Sequence, residues 1–227
     1  MPTPRSSPAR GPLPSPARVW SMSPGPTFDR VYRELKERLM AAEFAPGEHL
    51  EPVALGETLN TSATPVRDAL QRLAGERLVD APLHEGFRAP APTEPELRDL
   101  FEWTAKLVEL ALRQGSPGPS HRDTGSRPEF APGPESAADL VFAIVCKTGS
   151  DEHAAAMAGL LDRLAPVRTV EHLLFEDIDE EFVELQLLLA SGNAGELRRG
   201  IAAYHRRRVR AVSDLLAALR RETGRRR

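Results

Sequence analysis

The sequence predicts a mainly α protein: three short helices with a small β-hairpin, then a C-terminal all-α helical bundle. Three observations predict it. Apolar residues recur at helical spacing through most of residues 28–73 and 94–222. Between them, Leu78-Val79 and Phe87-Arg88-Ala89 flank a turn at His84-Glu85-Gly86 and read as two short strands. Pro46-Gly47, Gly149 and Gly192 punctuate the periodic segments. At 227 residues and 41% hydrophobic, the chain suffices for one large domain or two small ones. No apolar run approaches the roughly 18 residues of a membrane span. The N-terminal stretch lacks the apolar core of a secretory signal, so a cytoplasmic location is expected. Cys146 is the single cysteine, which excludes an intrachain disulfide and a cysteine-built zinc site.

The formal net charge of −3 conceals a polarity. Residues 1–26 carry three arginines and no acid, residues 27–88 eight basic and eleven acidic groups, residues 89–197 eight and twenty, residues 198–227 eleven and two. Basic ends on an acidic middle suggest contact with polyanions at the ends.

Residues 1–26 hold eight prolines and read as a disordered arm. Phe28, Val31, Leu35 and Leu39 then mark a first helix, which Pro46-Gly47 ends. Pro52 suits the first turn of a short second helix with Val53, Leu55 and Leu59, and Asn60 tolerates the left-handed backbone of a tight turn. A third helix starts near Ser62–Pro65, where Ser62 or Thr64 can cap the free amides. Val66, Leu70 and Leu73 face one way; Thr64, Arg67 and Gln71 share another face. The expected head is 27–90.

Pro90, Pro92 and Pro95 mark a linker, and Thr93 with Glu96 forms a capping box opening a helix to about Gln114. Residues 115–134, rich in Gly, Pro and Ser, read as a flexible loop. Four helical segments follow at about 135–148, 150–175, 178–191 and 194–222, making 91–227 a helical domain. Phe142, Ile144, Val145, Leu160, Leu161, Leu164, Leu173, Leu174, Leu185 and Leu188 are its expected core.

Three helices and a hairpin describe a winged helix-turn-helix. A helix about 10–12 Å across fits a major groove about 12 Å wide. Short residues at its start allow close approach, and an arginine one turn on, Arg67, can fork onto a guanine edge or clamp a phosphate. The wing tip at Gly86 can reach the adjacent backbone.

The segments Phe44-Ala45-Pro46-Gly47-Glu48-His49-Leu50 and Leu59-Asn60-Thr61-Ser62-Ala63-Thr64-Pro65-Val66-Arg67-Asp68-Ala69-Leu70-Gln71-Arg72-Leu73, followed by a glycine-bearing wing, resemble the GntR family DNA-binding domain. The resemblance implies a homodimeric bacterial regulator, of repressor type, that binds double-stranded DNA at a short palindrome. It places DNA contacts on His49, Ser62, Thr64, Arg67 and Gly86, and Gln71 joins them as the neighbour of Thr64 and Arg67 on one helix face. The family usually carries arginine where this chain has His49 and Ala63, and the head's charge of −3 is unusual for a DNA-binding module.

Leu100-Phe101-Glu102, Asp139-Leu140-Val141-Phe142, Thr148-Gly149-Ser150 and the last helix with His205 resemble the FadR-type (FCD) effector domain, which implies dimerisation and a small-molecule effector. Many relatives hold a divalent metal, Zn or Ni, on one aspartate and three histidines. Asp139 and His205 fall at two of those positions. Ala143 and Phe182 or Val183 replace the other ligands, and Thr104 stands where an effector-binding arginine is usual. The preferred readings are therefore a capping box of Ser136 with Asp139, and His205 as a surface histidine beside Arg206, Arg207 and Arg208, themselves read as solvated. His153 and His172 with Glu152, Glu171 and Glu176 are a further metal-site alternative. No nucleophile–base spacing and no HExxH argue for an enzyme. A helical protein–protein interaction module with a vestigial DNA head is the competing reading, motivated by the acidic head.

Overall fold

The computed structural model describes residues 25–114 and 136–225. Residues 1–24 of the expected arm and the loop 115–134 lie outside these residues, while Gly25 and Pro26 already cap and start a helix. The head is α1 (Pro26–Met40), α2 (Pro52–Thr58) and α3 (Ala63–Gly75). The bundle is α4 (Glu94–Gln114), α5 (Ala137–Cys146), α6 (Asp151–Arg168), a single 3-10 turn (Glu171–Leu173), α7 (Ile178–Ala190), α8 (Ala194–Arg210) and α9 (Val212–Arg225).

The head closes around its own core. Val31, Leu35 and Leu39 of α1 meet Leu55 of α2 and Val66, Ala69, Leu70 and Leu73 of α3, with Leu50, Leu59, Leu78, Val79 and Ala89 completing it. Prolines at the first helical positions of α1 and α2 forgo an amide that no carbonyl would have met. Asn60 adopts the left-handed backbone its residue type allows, at φ 51°. Gly56 lets α2 approach the turn, because a Cβ there would sit 2.9 Å from the Thr61 carbonyl oxygen. Arg30 of α1 donates to the Leu59 carbonyl at 3.0 Å and so ties the turn to the first helix.

The wing pairs as bridges, not as an extended ladder. Asp80 and Arg88 exchange both amide–carbonyl bonds at 2.9 and 2.8 Å, and the other edge of this segment pairs with residues 47–50 through Gly47, Leu50 and Ala89 amides.

In the bundle, α4 packs on α5, α6, α8 and α9. The capping box forms as the sequence indicates: the Thr93 amide donates to Glu96 Oε2 at 2.8 Å, and the Glu96 amide reaches Thr93 Oγ1 at 3.5 Å. Two helix ends differ from expectation. The segment expected to run to 175 stops at Arg168, where the Thr169 hydroxyl donates to the Pro166 carbonyl and the chain turns so that Glu171 enters the bundle. The segment expected as one helix to 222 breaks at Ala211, and close to the break Arg98 Nη1 of α4 donates to the Val209 carbonyl at 3.2 Å. Leu173, expected in the core, lies on the exposed turn instead, and Phe142, Leu161, Leu174 and Leu188 pack at the core's edge.

Head and bundle meet mainly where α1 lies on α6. Ala42, just past α1, joins the bundle's apolar core. Lys36 Nζ of α1 sits 2.6 Å from Asp162 Oδ2 of α6. Beside this contact a cleft of about 980 Å³ opens between the two units, lined by Leu39, Phe44 and Arg77 on one side and Trp103, Arg163 and Val167 on the other.

Candidate nucleic-acid interface

The outer face of α3 is built by the turn that precedes it. Ser62 is the N-cap residue with extended backbone, yet its hydroxyl makes no capping bond. The reading in which Ser62 or Thr64 merely caps the helix is not what forms. The first-turn amides of α3 and the Ser62 hydroxyl are left for an outside acceptor, the arrangement that suits an anion at a helix start. Val66, Ala69, Leu70 and Leu73 point into the head. Ser62, Thr64, Arg67 and Gln71 are all exposed, so the structure keeps together the four residues that the sequence placed here. Arg67 makes no ion pair among the described residues.

The wing brings the remaining two together. Gly86 has φ +77°, and a Cβ on it would come within 3.0 Å of His49 Nε2. His49 is itself bridged to Arg88, and its Nδ1 lies 3.9 Å from Glu51 Oε2. Glycine suits both the left-handed backbone and the close imidazole at this point. The exposed acids Asp68, Glu51 and Glu85 sit on the same elements.

The far end of α3 carries a group of contacts that sequence reasoning did not find. Tyr32 Oη donates to the Glu76 carboxylate at 2.8 Å, Arg72 Nε donates to it at 3.3 Å, and Lys36 Nζ approaches it at 3.4 Å. The Arg72 guanidinium lies 4.1 Å over the Tyr32 ring. Burial presses the Lys36 ammonium down, but the hydrogen bond and charge of Asp162 outweigh this and hold its pKa above the ordinary value. The signal was the spacing Phe28, Tyr32, Lys36 on one row of α1.

The bundle does not assemble the metal set. Asp139 is exposed and closes a box with Ser136, whose hydroxyl donates to Asp139 Oδ2 at 2.7 Å and accepts from the Asp139 amide at 3.2 Å. His205 is not a surface residue: it is 2% exposed, with Nδ1 2.9 Å from the Ile201 carbonyl. A carbonyl only accepts, so the proton sits on Nδ1 and Nε2 presents a lone pair, which finds no partner among the described residues. Burial, then the charges of Arg168 and Arg208, lower its pKa to about 4 against the Ile201 bond. One imidazole nitrogen, with Ala143, Phe182 and Val183 offering no donor, does not fit a divalent ion. Among the described residues no three His, Cys, Asp or Glu side chains cluster as a metal would need. Glu171 of the second alternative set is committed elsewhere.

That commitment corrects the reading of the arginine run. Arg208 is fully buried. Its Nε and Nη2 donate to Glu171 at 3.0 and 2.8 Å, its Nη1 lies 2.9 Å from Glu181, and its guanidinium sits 3.5 Å over the Tyr204 ring. Arg207, half-buried, pairs with Asp177 and Glu181. Only Arg206 of the three is exposed as expected.

Residues 27–88 match the family model described as bacterial regulatory proteins, gntR family. Over 88 residues the chain is 35% identical to the HTH-type transcriptional repressor GlaR of Escherichia coli (strain K12), covering 37% of this chain and 40% of that protein. Over 70 residues it is 39% identical to the Nta operon transcriptional regulator of Aminobacter aminovorans, covering 31% and 33%. The chain thus spans about two fifths or less of these curated relatives. Among solved structures it is similar to a transcriptional regulator of Rhodococcus sp. RHA1 described as GntR, with a TM-score of 0.64 at 19% identity over 84% of this chain and 98% of that one. It is also similar to E. coli McbR/YncC, at TM-score 0.61 and 18% identity over 83% and 97%. At such identities the likeness is one of fold, and it extends well beyond the head. No helix among the described residues is long and apolar enough to cross a membrane.

Proposed function

We propose that this protein is a DNA-binding transcription regulator whose α3 enters the major groove. The single observation that carries the reading is the exposed, internally unpaired face of Ser62, Thr64, Arg67 and Gln71 at the start of a helix whose first amides are free. A face meant for protein packing would be apolar or already paired. Ser62 and the free amides suit a phosphate, Thr64 and Gln71 base edges, and Arg67 a guanine edge or a phosphate. His49 beside Gly86 suits the neighbouring backbone. The match of residues 27–88 to the gntR family model supports the same assignment.

Two heads held about one helical turn apart, roughly 34 Å, would read a palindrome, which makes a homodimer built through the FadR-like bundle the fitting assembly. An effector in that bundle would act by favouring one arrangement of the heads. The repressor sense is borrowed from GlaR, which is named as one. A cytoplasmic location accords with this role.

The test is a fluorescence-anisotropy titration against the protein's own promoter region at two salt concentrations. Sequence-specific binding that Arg67→Ala weakens by roughly 5-fold to 100-fold is expected, since a good side-chain contact to a base is worth about 1–3 kcal/mol. Losing one phosphate contact would also flatten the salt dependence by about one unit of slope. Absence of specific binding at low salt would favour the second reading, a helical interaction module with a vestigial head, which the acidic charge of the head favours.

A further inference from the structure

We infer that Lys36, with Asp162 and Glu76, is the group that positions the DNA-reading helix on the bundle. The inference rests on the DNA-binding reading above and adds residues to it that touch no DNA. Glu76 is the C-cap residue of α3, at the opposite end from Thr64. Its carboxylate gathers Tyr32 Oη at 2.8 Å, Arg72 Nε at 3.3 Å and Lys36 Nζ at 3.4 Å. The same Lys36 nitrogen lies 2.6 Å from Asp162 on α6. One ammonium thus joins the end of the reading helix to the bundle, through α1.

The rest of the junction would not hold an orientation by itself. The apolar contact across it runs through Ala42, and alongside lies the cleft of about 980 Å³ rather than packed side chains. Linked units move relative to one another unless a large apolar interface stops them. Charged side chains line the cleft, Arg77 from the head and Arg163 with Glu96 from the bundle. The Lys36–Asp162 pair is about three-quarters buried on both sides, so salt screens it less than a surface pair. Fixing each head on its bundle sets the distance between two heads in advance, which is what simultaneous engagement of two half-sites requires.

The experiment uses the full chain with Lys36→Met, Asp162→Asn and, as the variant that keeps charge and reach, Lys36→Arg. Spin labels on Cys146, which is exposed, and on a cysteine introduced at the exposed Glu57 give the head–bundle distance by double electron–electron resonance, diluted with unlabelled protein. Lys36→Met and Asp162→Asn should broaden the distribution, and Lys36→Arg should keep it narrow. On a site selected from random DNA, the first two should lose about tenfold in affinity while binding of a single half-site stays unchanged. An unbroadened distribution in Asp162→Asn overturns the inference without reference to DNA. A broadened distribution with full-site affinity intact overturns the link to reading. Failure of the unmodified chain to select any DNA sinks the function proposed above, and the distance measurement still decides the latch.

Discussion

Above pH 6.5 His205 is neutral in both the folded and the unfolded chain, and its cost appears only on acidification. The unfolded imidazole takes up a proton as the pH falls through its ordinary value of 6.5, while the folded one resists to about 4. Across that window the unfolded state binds more protons, so stability falls with pH at up to about 1.4 kcal/mol per unit. Melting curves between pH 7 and 5 should show His205→Phe with a shallower decline than the unmodified chain, and equal slopes would show that the proton is taken up elsewhere. Arg208 sets a different test. Its removal strands Glu171, which is 3% exposed, so Arg208→Met should cost about 3–5 kcal/mol by chemical denaturation, and adding Glu171→Leu should restore much of it. Neither residue was legible as internal. The row Leu197, Ile201, Tyr204, Arg208 has the spacing that revealed α1, but three consecutive arginines hide which of them turns inward. Thr64, Arg67 and Gln71, by contrast, were readable because an apolar row on the same helix fixes the opposite face.

Elements were readable where their ends are decided by neighbours in sequence. Pro52 and the Thr93–Glu96 box each mark a boundary by local chemistry, and the structure places helix starts there. The end of α6 and the break at Ala211 lie beside contacts with distant residues, Arg208 with Glu171 and Arg98 with the Val209 carbonyl, which no local pattern announces. The wing is intermediate: its turn is written in His84-Glu85-Gly86, but its pairing with residues 47–50 depends on the fold. The α2–α3 turn offers a clean measurement. Gly56→Ala puts a methyl group against the Thr61 carbonyl, a backbone atom that cannot rotate away. A loss of about 1–3 kcal/mol is expected, together with weaker DNA binding, because relief requires α3 to shift against α2. Full stability in this variant would mean that the turn has room the contact distance denies.

For the whole molecule, part of the charge polarity of the sequence is paired across the bundle. Arg198 of α8 reaches Glu109 of α4, Arg207 reaches Asp177, and Arg208 reaches Glu171 and Glu181. Sequence alone could count these charges but not pair them, since the partners lie tens of residues apart. What the fold does keep separate is its two apolar cores. Among the described residues the head's core contains no bundle residue, and Ala42 is the head's one member of the bundle's core. A unit of the head's size buries a modest fraction of its surface and is marginal by itself. With Ala42, the α1–α6 contact and the Lys36–Asp162 pair as the main couplings among the described residues, head and bundle should melt as two transitions in calorimetry, the head first. Leu70→Ala removes a fully buried side chain from the head, at about 2–5 kcal/mol, and should lower the first transition by roughly 10 °C or more while leaving the second in place. A single transition that moves as one body under this substitution would show that the junction couples the cores far more strongly than its contacts account for.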